Sequence, residues 1–558
     1  MKRCPECRRD YFDDSLLYCL DDGAALLEGP GSIAGREEPH TAILPHTSPG
    51  EAATRAFIHT TDIPAPRTKP DRSYAKAFIL GGALLLAAIV GSFFGYRYLT
   101  RVNKQITSIA VMPFVNDSGN PDIDYLSDGM TDTLISSLSQ LPNLTVKARS
   151  AVFRYKGQAI EASKIGRDLN AEAVLSGHVV ERAGRLIVNL ELVDPATENV
   201  IWAGQYDRAQ ADLAAIQTDI ARDVLSKIAN KLSVPEAQKI SKPLTVNSDA
   251  YRLLLQGRYL LDRTTREDTE KSITYFQQAL DIDAGCAICW SEIGRAYAIE
   301  AGRAWMPSSE GFDKSRDATN KALSIDPDLA EGHAQLGRIQ VTYDLDLKAA
   351  EASYRRALEL APSNASVQDG AAVLFYKLGR FDEAIALERQ ALTEDPLSPV
   401  FYNNLGLTCL AAGQLAQAEV ALRKAIELAP QRFVTNSLLA IVLADEGRVD
   451  EAIAQIGREP DEVWRLWATG IICHRSGQKA RSDDAIHQLV TAHTDGNAFQ
   501  IAEVYAVRGE TDQAFKWLET AYQQRDPGVT HAYADPQLRS LHSDSRWAGF
   551  IKKLGFVA

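Results

Sequence analysis

The sequence predicts a multidomain chain that joins a small cysteine-bearing segment, one transmembrane helix, an α/β domain and an all-α solenoid. Three observations carry this prediction. A 34-residue period runs through the second half: Pro362, Pro396 and Pro430 keep it, as do Gly379, Gly413 and Gly447, and Ala384, Ala418 and Ala452. A stretch of 20 uncharged residues lies between Lys76 and Arg97. Between the two, residues 105–235 alternate strand-like and helix-like patterns.

The period comes first because it excludes most. Self-similarity at this length marks stacked helical hairpins, in which no unit buries its apolar face alone and the stack buries a continuous core. Such arrays bind other molecules far more often than they catalyse. Composition agrees. The 558 residues carry a net charge of -13, which argues against nucleic acid held by a broad basic surface. No P-loop, GxSxG or HExxH motif occurs. The seven cysteines are odd in number and widely spaced, so they do not form a disulfide framework.

The uncharged stretch, residues 77–96, is about 30 Å long as a helix and matches a bilayer core. It begins too late in the chain for a cleaved signal peptide and reads as a permanent anchor. Four cations (Arg67, Lys69, Arg72, Lys76) precede it and three (Arg97, Arg101, Lys104) follow, so the positive-inside rule puts the N-terminus in the cytoplasm. Thiolates before the span favour the same side. The expected location is a bacterial inner membrane, single-pass, with the C-terminal domains outside the cytoplasm. Ala87, Gly91 and Gly95 form a small-residue row that would serve as a helix-dimer seam.

Ahead of the span, residues 1–27 hold Cys4-x2-Cys7, then Cys19 after 11 intervening residues. Two thiolates at that first spacing share one tetrahedral ion. Asp22 stands where a fourth cysteine would complete the set, and a carboxylate is a legitimate zinc ligand. Cys4, Cys7, Cys19 and Asp22 are therefore a candidate zinc site. The alternative is a segment that has lost its metal. With Pro5, Tyr11 and Gly23, this stretch resembles a bacterial zinc-ribbon type, which implies docking rather than catalysis. Residues 28–76, rich in Pro, Gly, Ala and Thr, read as a flexible linker.

In the α/β region, 107–114 reads as a buried strand. Leu126, Met130, Leu134 and Leu138 repeat every four residues and predict a helix over 122–141. Strands follow at 144–149, 173–181, 185–194 and 199–208, with helices at 162–169 and 211–232. Asp128-Gly129 and Lys156-Gly157 read as turn and cap chemistry, and His178 as a structural strand residue. Ser108–Phe114, Tyr125–Gly129, Arg149, Tyr155–Gly157, Leu175–Gly177 and Ile201–Ala203 resemble the TolB-like N-terminal domain of bacterial membrane proteins. The resemblance implies an accessory or sensory domain and carries no catalytic residues.

Residues 236–558 resemble tetratricopeptide repeats. Tyr402, Leu405, Gly406, Gly413, Ala418, Leu422, Ala425 and Pro430 form one full unit. Small residues at 406 and 418 let paired helices approach, Gly413 makes the turn, and Pro430 stops the second helix. The unit at 330–362 carries one extra residue near Asp344. An insertion lies near 302–311, and the pattern degenerates around 464–487. About eight hairpins are expected. The resemblance implies a groove on the inner helices for a protein or peptide segment, with Asp369, Tyr376, Lys377, Asn403 and Leu407 as candidate contacts. Cys286-x2-Cys289 reads as core packing.

The expected function is a non-enzymatic, membrane-anchored interaction module with a sensory or signal-transducing role. The alternatives are an envelope assembly scaffold and an enzyme with an unrecognised site in the α/β domain.

Overall fold

The computed structural model describes residues 106–228 and 245–556, apart from residues 142, 246, 264 and 495, together with six residues near the N-terminus. Those six form a three-stranded antiparallel sheet in which Lys2–Arg3 pairs with both Asp10–Tyr11 and Leu27–Glu28. Cys4, Cys7, Cys19 and Asp22 lie outside the described residues. So do 77–96, with Ala87, Gly91 and Gly95. No helix among the described residues is long and apolar enough to cross a membrane.

The α/β domain is built on strands β1 (Ser108–Val111), β2 (Val115–Asn116), β3 (Thr145–Val146), β4 (Ala173–Arg182), β5 (Arg185–Asp194) and β6 (Asn199–Ala209). The order across the sheet is β3-β1-β4-β5-β6, with β2 also on β4. β1 runs parallel to β3 and β4, while β4, β5 and β6 form an antiparallel meander. Ala183 and Gly184 adopt left-handed backbone, the geometry of a tight two-residue hairpin. Helix α1 (Asp124–Leu138) buries all four residues of its predicted stripe.

Lys156 and Gly157 lie in a turn, with Gly157 at positive φ, whereas Asp128 sits inside α1 and pairs with the Lys156 ammonium at 2.6 Å. Gly129 has a packing role, since a Cβ there would lie 2.6 Å from the Leu255 side chain. His178 lies in β4 and bonds Asp117 at 2.7 Å.

The helical array contains eight antiparallel hairpins among the described residues. They are Ser248–Leu261 with Arg266–Ile282, Ala287–Gly302 with Ser308–Ile325, Ala330–Ile339 with Leu347–Leu360, and Ala365–Lys377 with Phe381–Glu394. Then come Pro399–Ala411 with Leu415–Leu428, Thr435–Asp445 with Val449–Ile456, Glu462–Arg475 with Lys479–Ala492, and Ala498–Val507 with Thr511–Gln524. The repeat chemistry is visible at Gly406, where a Cβ would stand 2.5 Å from Leu422, and at Gly413, whose φ is +75°.

The extra residue near Asp344 has a specific form. Gln340–Asp344 winds as a π-helix, which absorbs one residue without breaking the hairpin. Residues 464–487, where the residue pattern degenerates, still form a hairpin, as the expected total of eight requires. Cys286 and Cys289 do more than pack: a disulfide joins them, and both are fully buried.

The α/β domain and the array belong to one compact unit. A closed ring of six alternating charges ties them together. Asp132 meets Arg149 (3.4 Å), Arg149 meets Asp262 (3.0 Å), and Asp262 meets Arg295 (3.3 Å). Arg295 meets Glu292 (2.8 Å), Glu292 meets Arg258 (2.7 Å), and Arg258 returns to Asp132 (3.5 Å). Lys147 adds a bond to the Thr393 carbonyl (2.5 Å), and the Ala148 amide donates to the Glu394 carbonyl (3.0 Å).

Candidate peptide-binding groove

Helices in a hairpin stack turn one face toward their partners and leave another free. Here the first helices of five successive hairpins leave a polar and aromatic face: Tyr376, then Asn403 and Leu407, Leu438, Trp464, and Gln500 with Glu503. A segment that follows the last hairpin forms the facing wall. It consists of two 3-10 turns, Pro527–His531 and Pro536–Leu541. Each begins with the same device. The side chain of Asp526 accepts from the Gly528 amide (2.8 Å) and that of Asp535 from the Gln537 amide (2.7 Å). Proline follows each aspartate at a position where a missing amide does no harm.

This segment is held at several points along the array. The Tyr376 and His531 rings lie 5.4 Å apart. Arg539 donates to the Ala411 carbonyl at 2.7 Å. Arg475 donates to Gln537 Oε1 at 2.7 Å, and the Ser540 hydroxyl to the Ala506 carbonyl at 2.9 Å. Asp526 reaches back through its second oxygen to the Phe499 amide at 3.0 Å. Between segment and array remains a cavity of about 390 Å³.

Three of the predicted contacts, Tyr376, Asn403 and Leu407, line this cavity. Asn403 is mostly committed inside the array, accepting from the Thr435 hydroxyl at 2.8 Å. Asp369 and Lys377 do not line it. Asp369 accepts from Asn404 Nδ2 (2.8 Å) and faces a separate cavity of about 520 Å³ between the α/β domain and the array. Lys377 is buried, because the helix turns that position inward, and burial lowers its amine to about 8. Burial, with Lys377 nearby, lowers His531 to about 3, so that ring is neutral.

The sequence reading missed the 527–541 wall. Its signal was present in the two Asp-Pro pairs, 526–527 and 535–536, which fall outside the 34-residue frame. Trp464 and Trp467 were inside the stretch singled out as degenerate, and both line the cavity, with ring centroids 5.5 Å apart.

Comparison with known proteins places the two halves differently. Residues 104–223 match the profile of the HilA/YgeH-like transcriptional regulator, second domain. Residues 344–399 and 400–432 match tetratricopeptide repeat profiles. A putative adenylate cyclase 3 of Rhizobium meliloti is 29% identical over 230 residues, 41% of this chain and 39% of that protein. The type IV pilus assembly protein PilF of Pseudomonas aeruginosa is 32% identical over 119 residues, 21% of this chain and 46% of that protein. The chain thus spans less than half the length of either relative. Among solved structures, Pseudomonas aeruginosa PilF aligns with a TM-score of 0.31 at 23% identity, covering 37% of this chain and 93% of that one. The type IV pilus biogenesis factor PilW aligns with a TM-score of 0.31 at 18% identity, covering 44% and 94%. The repeat profiles at 344–399 and 400–432 show that the C-terminal region carries tetratricopeptide repeats. Arrays of this kind are in general protein-interaction modules and typically not enzymes.

Proposed function

We propose that this chain is a membrane-anchored, non-enzymatic interaction protein that seats a protein segment in the groove between its inner helices and the 527–541 wall. The observation that carries the reading is the groove itself: an aromatic and polar cavity lined on one side by five successive first helices. A photo-crosslinking residue in place of Leu407, in the full chain in cells, tests it. Adducts are expected from that position and not from Val420, which is 72% exposed on a second helix. Equal adducts from both positions, or none from 407, would reject the groove.

The anchor is residues 77–96, with the α/β domain and the array outside the cytoplasm. A disulfide between Cys286 and Cys289 supports that side, since such bonds persist in oxidising compartments. The α/β domain acts as a sensory accessory, as its TolB-like resemblance implies, and Ala87, Gly91 and Gly95 form a dimer seam. An envelope assembly scaffold is the second reading, favoured by the similarity to a pilus assembly protein over 119 residues. A change at the N-terminal ribbon on partner binding would separate signal transfer from scaffolding.

That ribbon holds one zinc ion through Cys4, Cys7, Cys19 and Asp22. Full-length protein purified in detergent is expected to carry one equivalent by mass spectrometry of metals, and Cys4→Ser with Cys7→Ser to carry none. A segment of about 25 residues cannot bury a useful core, so metal loss should also unfold it. Equal metal content in the double variant would remove the site.

A further inference from the structure

The charge of the groove is one-sided. Among the described residues its wall contains Glu503, Asp526 and Asp535 and no lysine or arginine. The nearest cations, Arg475 and Arg539, stand outside the wall and act to lower Asp535, while their hydrogen bonds go to other groups. Arg475 is spent on Gln537 and Asp445, Arg539 on the Ala411 carbonyl, and Lys377 is not part of the wall. His531 is neutral and adds no positive charge. Asp526 spends its oxygens on the Phe499 and Gly528 amides, whereas Glu503 and Asp535 face each other and share a hydrogen bond.

A second observation is independent of these carboxyl groups. Gln500 is 7% exposed and lines the same cavity, yet its Oε1 has no hydrogen-bond partner. An orphaned buried acceptor of this kind is destabilising unless a donor reaches it. Trp464, Trp467 and Phe499 supply aromatic surface beside it. Unspent acceptors, carboxyl groups and ring faces in one cavity are the combination that receives an alkyl stem ending in a cation.

We infer that the groove selects its protein partner by one lysine or arginine side chain, whose stem lies on the tryptophans and whose charged head donates to Gln500 and the Glu503–Asp535 pair. This rests on the groove reading above and names the chemistry it prefers. Burial raises both Glu503 and Asp535, and a seated cation would act in the opposite direction, favouring release of a proton from the pair.

The test uses the full chain in detergent with a positional-scanning library of acetylated, amidated hexapeptides, read by tryptophan fluorescence. Pools with lysine or arginine fixed at one position are expected to bind, and replacing that residue by norleucine or citrulline should weaken binding about tenfold or more. Glu503→Gln with Asp535→Asn should erase the preference while leaving the melting temperature no lower, since both changes are isosteric and remove buried acids. Calorimetry in buffers of different ionisation enthalpy should show proton release for the lysine peptide and none for the double variant. Hexapeptides that bind without preference for a basic residue would overturn this inference and leave the groove reading standing. No binding by any pool would count against the groove reading itself. Spermidine binding as tightly as the best peptide would replace the peptide ligand by a free polyamine and overturn the proposal.

Discussion

Replacing Arg258 by alanine should lower the unfolding free energy by about 3–5 kcal/mol, the range for removing one partner from a buried ionic network. Arg258 is 8% exposed and faces Glu292 at 2.7 Å and Asp132 at 3.5 Å. Burial alone would lower its affinity for a proton, but Glu292 and Asp132 more than offset this, and the guanidinium stays charged. Without it, two carboxylates face each other across the seam with one cation fewer. Lysine should rescue only in part, because a single ammonium cannot reproduce the planar fork. Urea denaturation followed by circular dichroism gives the magnitude. Calorimetry gives the second signature: a single transition should split, since the ring joins the α/β domain to the array. As a control, Arg222→Ala breaks an exposed pair with Asp219 and should change stability by less than about 1 kcal/mol. A loss that small at Arg258 would mean that the ring contributes nothing to joining the two parts.

The second large effect is a fall in stability as pH rises from about 5 to 8. Burial pushes Glu394 up to about 8, and raises Glu388 and Glu503 well above the usual carboxylate range. A carboxyl group whose folded value is raised binds its proton more tightly in the folded state. The stability it contributes is complete below its unfolded value and is lost as pH climbs through the folded one. For Glu394 that window runs from about 4.5 to about 8. Each pH unit in the window is equivalent to about 1.4 kcal/mol for one fully displaced group. Lys147, lowered to about 8 by burial, acts in the window above and restores stability as pH rises beyond it. Glu394→Gln should flatten the slope between pH 5 and 8, with the variant gaining on the parent at the alkaline end. Buried neutral His531 adds stability with rising pH only up to about 6.5, so a melting temperature that rises from pH 6.5 to 8 would show that these acids ionise freely in the folded protein.

Much of the scaffold was legible because its determinants are local. The hairpin at Arg182–Arg185, the helix at 162–169 and the stripe of Leu126, Met130, Leu134 and Leu138 each depend on a few neighbouring residues, and each appears where periodicity put it. The extra residue near 344 was visible as a one-residue misfit of the 330–362 unit to the repeat frame, though not that a π-turn would absorb it. The site was less legible. Tyr376 and Lys377 are adjacent on one helix, and only three-dimensional packing decides that Tyr376 reaches the cavity while Lys377 does not. The 527–541 wall depends on contacts between residues far apart in sequence, such as Arg539 with Ala411, which no periodic pattern encodes. The charged ring is legible only in part: Arg258 and Glu292 stand one 34-residue period apart, but Asp132 and Arg149 belong to the α/β domain, outside any repeat.

Because the wall is supplied by residues beyond the last hairpin, the order of synthesis matters. All eight hairpins are translated before Asp526, and until the wall follows them the tryptophan face has no opposing surface. A chain that ends early would lose the wall and also bare the core of the last hairpin, because Val529, Leu538 and Leu541 are buried against Ala502, Ala514 and Leu518. If the groove is the binding site proposed above, partner capture is tied to completion of translation, and a truncated product would be silent rather than a competitor.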